Sequence, residues 1–188
     1  MTAVMHKLPT PFAQDSFEFF AALEHARGAR RILEVGARFG NSTVLLAMAS
    51  RPGSMIVVVD LCDDPYAAGV DIRSSLERNV EGLQKRGHDV VLLRGDSHSA
   101  QMISGVACYA PYDFGFIDAD HTYEGVKADW QAYGSMCNVV AFHDINAPAW
   151  GVRRLWQEIK PEYVTAEYIR GGMGIGIVFR GIRRFGDD

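Results

Sequence analysis

The chain has 188 residues, 48% of them hydrophobic and 22% charged, which is ordinary globular usage and excludes a disordered or collagen-like chain. That length accommodates one domain whose core needs no disulfide or metal to fold. The formal net charge of −4, with no basic stripe, argues against a nucleic-acid binder.

In chain order, residues 1–14, with Pro9 and Pro11, read as an N-terminal arm before a single domain over 15–180 and a short tail over 181–188. The opening stretch lacks the long apolar segment of a secretory signal. Apolar runs such as Met55–Val59 and Val139–Phe142 are far shorter than the ~20 residues of a membrane span. A cytoplasmic protein with no membrane contact is therefore expected. Cys62, Cys108 and Cys137 are odd in number and lack C-x-x-C spacing, so they read as small buried hydrophobes of a reducing compartment.

Residues 15–27 read as a helix rich in Phe and Ala. Short β-branched runs then alternate with longer helical patterns. The expected strands are Arg31–Val35, Met55–Asp60, Val90–Leu93, Phe114–Ile117 and Asn138–Phe142. Between the second and third, Ile72, Leu76, Val80 and Leu83 share a helical face. Tyr123, Val126, Trp130 and Tyr133 do so between the fourth and fifth, and Val152, Leu155, Trp156 and Ile159 follow i, i+3, i+4, i+7. This alternation predicts a Rossmann-like α/β fold, a parallel sheet with helices on both faces. Tyr163–Ile169 and Ile175–Phe179 are separated only by Arg170–Gly174, too little chain for a crossover helix. They are expected to close a mostly parallel, seven-stranded sheet with an antiparallel hairpin.

The chemistry-bearing segments fall at the C-terminal ends of these strands, where open α/β sheets bind ligands. The first strand runs into Glu34-Val35-Gly36-Ala37-Arg38-Phe39-Gly40-Asn41-Ser42-Thr43, whose glycines permit a tight turn and close backbone approach. The G-x-x-x-G spacing departs from the G-x-G-x-x-G that seats a dinucleotide pyrophosphate on a helix N-terminus. Glu34 would repel a phosphate but suits a cationic amino group. Asp60 ends the second strand, where it can accept from both ribose hydroxyls or cap a helix. Arg94-Gly95-Asp96-Ser97 ends the third; Asp96 or Ser97 can receive an adenine amino group or cap the following helix. The fourth runs into Asp118-Ala119-Asp120-His121-Thr122, and the fifth into His143-Asp144-Ile145-Asn146. The two tips are neighbours in a parallel sheet, so Asp118 and Asp144 can share one cation; like charges so close call for a metal or a raised pKa.

E-V-G-x(3)-G-N-S-T, R-G-D-S, F-I-D-A-D-H-T-Y-E-G-V-K-A-D, F-H-D and G-G-M-G-I-G-I-V-F follow one another from Ile32 to Phe179. On these motifs the chain resembles class I methyltransferases dependent on S-adenosylmethionine (SAM). More narrowly, it is similar to the small bacterial family that includes macrocin O-methyltransferase and the cephalosporin hydroxylase-like proteins. The resemblance implies SAM with its methionine part near Glu34, Gly36, Gly40 and Ser42, its ribose at Asp60 and Leu61, and its adenine near Gly95, Asp96 and Ser97, Asp118 lying alongside. It also implies a divalent cation, Mg²⁺ or Mn²⁺, on Asp118 and Asp144. This chain carries His143 where an acid is usual, and an imidazole suits Mn, Fe or Zn better than Mg; Asn146 is an alternative oxygen donor. His121 stands where macrocin-type relatives carry a histidine base, and Asp120 where some sugar-modifying relatives use an aspartate. The implied function is O-methylation of a small hydroxylated acceptor (a natural product, sugar or phenol), by a protein that is a candidate homo-oligomer. Two other readings remain open: a metal-dependent hydroxylase-like enzyme on the same fold, and a non-catalytic SAM-binding module.

Overall fold

The computed structural model describes residues 12–63 and 71–181. Residues 1–11 of the expected arm, residues 64–70 and residues 182–188 of the tail lie outside the described residues. The elements, in order, are α1 (Phe12–Ala26), β1 (Arg31–Val35), α2 (Asn41–Ala49), β2 (Met55–Asp60), α3 (Ile72–Gln84), β3 (Asp89–Arg94) and α4 (Ala100–Ala107). They continue with β4 (Tyr112–Ile117), α5 (Tyr123–Tyr133), β5 (Cys137–His143), α6 (Gly151–Ile159), β6 (Val164–Tyr168) and β7 (Ile175–Phe179). Helix α1 starts earlier than its apolar spacing suggests. Strands β3, β4 and β5 run past their apolar cores, because ladder hydrogen bonds take in flanking residues whatever their polarity.

One sheet holds all seven strands in the order β3-β2-β1-β4-β5-β7-β6. Strands β3, β2, β1, β4 and β5 are parallel neighbours, and β7 runs antiparallel to both β5 and β6. The expected antiparallel pair is present, with β7 lying between β5 and β6. Composition explains the choice: Ile-Gly-Ile-Val-Phe of β7 is almost wholly buried, whereas the more polar Val-Thr-Ala-Glu-Tyr of β6 takes the half-exposed edge.

Alternation along each strand feeds two cores. Ile32 of β1 packs with Phe19, Leu46 and Leu76 on the α1–α3 face, and Leu33 and Val35 pack with Val106, Val126 and Trp156 on the α4–α6 face. The expected apolar faces of α3 and α6 are buried in full. In α5 the buried residues are Gly125, Val126, Asp129 and Tyr133, a face turned from the stripe expected through Tyr123 and Trp130. Helix α2 covers one side of the sheet and α5 the other, so the chain leaves adjacent strands β1 and β4 in opposite directions. A crevice opens above their C-terminal ends, at the topological switch point.

Candidate functional site

A cavity of about 700 Å³ occupies that crevice, a size usual for small-molecule sites. Its wall takes residues from the tips of β1 through β5, among them Gly36, Ser42, Asp60, Leu61, Gly95, Asp96, Ser97, Asp118, Asp120, His121, His143 and Asp144. The structure thus brings together most of the residues singled out in the sequence.

The floor is shaped by the β1–α2 turn. Gly36 adopts φ +87°, and a Cβ there would lie 2.3 Å from the Asp118 carbonyl oxygen, so only glycine lets β1 and β4 end side by side. Gly40 has a different role. It caps α2 in the left-handed region and abuts Leu76 of α3, away from the cavity wall.

Glu34 does not line the cavity either. Its alternation with Leu33 and Val35 turns it toward the α1–α3 face, where it is fully buried and accepts a hydrogen bond from the Thr43 hydroxyl. Its Oε1 has no hydrogen-bond partner. Burial pushes the carboxyl from 4.5 up to about 8, against the opposing hydrogen bonds from Ser42 and Thr43. A raised carboxyl contributes stability that is complete below about pH 4.5 and is lost as pH climbs through 8. Glu34→Gln should therefore stabilise the unliganded protein at pH 8 by roughly 1–3 kcal/mol and hardly at all at pH 4.5. Urea unfolding at the two pH values measures this; an equal effect at both would contradict it.

Asp60 is engaged by backbone. Its Oδ2 accepts from the amides of Ala37 and Arg38, both at 2.7 Å, and its Oδ1 from Cys62 N–H at 2.6 Å. The carboxylate ties the tip of β2 to the β1–α2 turn, and its remaining lone pairs are what it can offer a ribose. In the β3–α4 loop, Ser99, not Asp96 or Ser97, caps α4 by accepting from Met102 N–H at 3.3 Å. Asp96 and Ser97 remain on the cavity wall, joined by His98, which the sequence reading missed.

The densest chemistry lies where β4 and β5 end. Their register pairs Ile117 with Phe142, so the next residues, Asp118 and His143, emerge side by side. His143 Nδ1 lies 3.4 Å from Asp118 Oδ1 and 3.1 Å from Asp144 Oδ1. His121 Nε2 lies 2.7 Å from Asp144 Oδ2 and 3.5 Å from Asp118 Oδ1. One ligand atom each from Asp118, His143 and Asp144 falls within 4.8 Å of the others. Asp144 is buried and holds φ +65°, a left-handed conformation that aspartate tolerates better than most side chains and that turns its carboxylate back into the cluster.

The cluster's electrostatics follow from its geometry. Hydrogen bonds to Asp118 and Asp144 push the His121 imidazole up to about 10, against its desolvation. Burial alone would raise Asp118 and Asp144, but the neighbouring imidazoles outweigh it and hold both carboxyls below their usual range. The two carboxylates of Asp118 and Asp144 and the His143 imidazole form a donor set suited to a divalent cation.

Asp120 lies apart from the cluster. Its Oδ1 accepts from Thr122 N–H at 2.8 Å, and its carboxyl packs against Gly125. Thr122, not His121, caps α5, accepting from Gly125 N–H at 3.1 Å. Asn146 turns to the β6–β7 connection, its amide meeting Gly172 O at 3.4 Å, and does not line the cavity. Trp150 does line it; its ring centroid is 5.0 Å from that of His121, and Gly151 N–H donates to His121 O at 2.8 Å.

The same architecture recurs in solved structures. The cofactor-bound Rv0187 from MTB is 22% identical over 93% of this chain and 84% of its own, with a TM-score of 0.69. An O-methyltransferase from Bacillus cereus in complex with SAH is 21% identical over 93% and 83%, with a TM-score of 0.64. The O-methyltransferase TomG from Streptomyces achromogenes, in complex with SAM, is 18% identical over 89% and 79%, with a TM-score of 0.63. At such identities the likeness is one of fold. No curated protein matches the chain by sequence. The family model for a methyltransferase domain matches residues 33–158, a span that runs from β1 into the last turn of α6 and holds the whole Asp118–His121–His143–Asp144 cluster, and the chain belongs to that family.

Proposed function

We propose that the protein is a SAM-dependent O-methyltransferase that uses a divalent cation to act on a small hydroxylated acceptor. The carrying observation is one cavity that joins the Gly36 turn and the Asp60, Asp96 and Ser97 loops to the Asp118–His143–Asp144 cluster. The neighbours solved with SAM or SAH share the fold and are described as O-methyltransferases.

The residues present suit both groups. The turn around Gly36 and the loops after β2 and β3 put the Asp60 and Asp96 carboxylates and close-lying glycine backbone on the wall that would meet an amino acid, a ribose and an adenine. Asp118, Asp144 and His143 would hold the cation. When bound, SAM supplies an electrophilic methyl group on a good leaving group, and the cation supplies charge that makes the acceptor hydroxyl more acidic. The protein's own residues do the rest. His121, in the same mouth, serves as the base for the acceptor proton, and Trp150 lies beside the His121 ring on the cavity wall. Catalysis is then chiefly positioning and charge stabilisation.

Calorimetry with SAH, NAD, Mg²⁺ and Mn²⁺ tests the reading. SAH should bind and NAD should not; the reverse would remove the assignment. Asp60→Ala should weaken SAH binding by roughly 1.5–3 kcal/mol, since it loosens the loop and removes a charged acceptor together. Unchanged affinity would place the ribose elsewhere.

The His143 imidazole among the candidate ligands favours a second reading, a metal-dependent hydroxylase-like enzyme on this fold, because a nitrogen donor suits a redox metal. Oxygen-dependent turnover without SAM would support it. Among the described residues, no helix is long and apolar enough to cross a membrane; we infer a cytoplasmic protein acting on small molecules, with self-association to be read from its size in solution.

A further inference from the structure

Asp129 is fully buried in α5, one helical turn from Gly125 on one side and from Tyr133 on the other. All three meet the Ser97–His98 segment of the β3–α4 loop. Tyr133 donates its hydroxyl to Ser97 O at 2.5 Å. His98 Nε2 lies 3.1 Å from Gly125 O and 3.2 Å from Asp129 Oδ1. A carbonyl only accepts, so Nε2 carries the proton and donates it to Gly125 O; Asp129 Oδ1 lies beside that N–H as a charge contact, and neither Asp129 oxygen accepts a hydrogen bond. His98 N–H donates in turn to Asp96 Oδ1 at 2.9 Å. The His98 ring is thus gripped by α5 along one edge while its remaining surface, 31% of the side chain, stays open on the cavity wall.

A buried carboxylate in a helix destabilises unless something offsets its desolvation. Burial raises the Asp129 carboxyl above its usual range; the Ser97 hydroxyl and His98 act against that. Both belong to the loop, so the charge of Asp129 is directed at the loop and not at its own helix.

We propose that Asp129 is a positioning residue for cofactor binding: through His98 it fixes the Asp96–His98 segment in the shape that receives the adenine end of SAM. This rests on the cavity being a SAM site. Without Asp129 the His98 ring loses the carboxylate beside Nε2 and keeps only the Gly125 carbonyl, a weaker hold against swinging into the space the adenine needs.

The test is SAH titration by calorimetry on the wild type, Asp129→Ala, Asp129→Asn, His98→Ala and the double Asp129→Ala/His98→Ala variant, with circular dichroism and thermal melting of each. Asp129→Ala should weaken SAH about tenfold, the scale of one close charge contact away from solvent. Asp129→Asn, which keeps the shape of the side chain but not its charge, should recover little of that loss. The double variant should bind no more weakly than the weaker single one, because one residue acts through the other. Mn²⁺ affinity should not change in any of them. Wild-type affinity in Asp129→Ala, or losses that add in the double variant, would overturn the proposal. Should Asp129→Ala fail to fold, His98→Ala decides alone, and unaltered SAH affinity there overturns it. A wild type that binds no SAH refutes the SAM reading itself.

Discussion

Asp118→Asn and Asp144→Asn should each lower turnover by about 10³-fold or more, the equivalent of losing several kcal/mol of charge stabilisation. SAH affinity should stay within about twofold, because the change removes one charge and little volume. The two side chains reach the cluster by different routes, Asp118 from the end of β4 and Asp144 from a left-handed turn after β5. Asparagine also tolerates that turn, so Asp144→Asn tests charge and not backbone strain. Methyl transfer to a panel of phenols and sugars, followed as SAH release with and without added Mn²⁺, is the measurement. A chelator that leaves wild-type transfer untouched would refute the cation's part. His143→Glu refines it by restoring the all-oxygen set: the variant should shift in preference from Mn²⁺ toward Mg²⁺.

His121→Ala should reduce turnover by roughly 10²–10⁴-fold with little effect on SAH affinity, the range for loss of a general base. With Asp118 and Asp144 unneutralised, their hydrogen bonds hold His121 protonated up to about pH 10, and a protonated imidazole accepts nothing. Neutralising the two carboxylates returns the ring toward its ordinary value of about 6.5. The wild type should therefore show an acid limb near that value in the presence of the cation, and His121→Ala should lose it. Asp120→Asn should have a far smaller effect, because the Asp120 carboxylate already accepts from Thr122 N–H beside Gly125. Arrest of turnover by Asp120→Asn, with His121→Ala barely slower than wild type, would transfer the base to Asp120.

Residues whose placement depends on strand period are legible in the sequence alone. Alternation in Ile32-Leu33-Glu34-Val35 places Ile32 and Glu34 on one face and Leu33 and Val35 on the other, and the two cores divide in that way. The same rule held a lesson about Glu34: an acid in phase with Ile32 belongs beneath α2, not on a ligand wall. Asp129 carried a comparable signal. It sits three residues after Val126 and four before Tyr133, within the buried stripe of α5, so an acid there marks a carboxylate held out of water. His98 carried none, since nothing in its local sequence distinguishes it from a surface histidine.

The sequence by itself determined the alternation of strands and helices, the antiparallel ending and the clustering of ionisable residues at strand tips, because each is a local consequence of side-chain period or connection length. Only the tertiary structure decided that β7 enters the sheet ahead of β6, that His121 joins Asp118, His143 and Asp144 while Asp120 does not, and that Asp60 is bound by backbone amides. These depend on which hydrogen-bond partners meet across the sheet and on side-chain directions at turns such as the left-handed Asp144. Directions of that kind are set by packing between segments far apart in the chain, and no spacing rule within one segment encodes them.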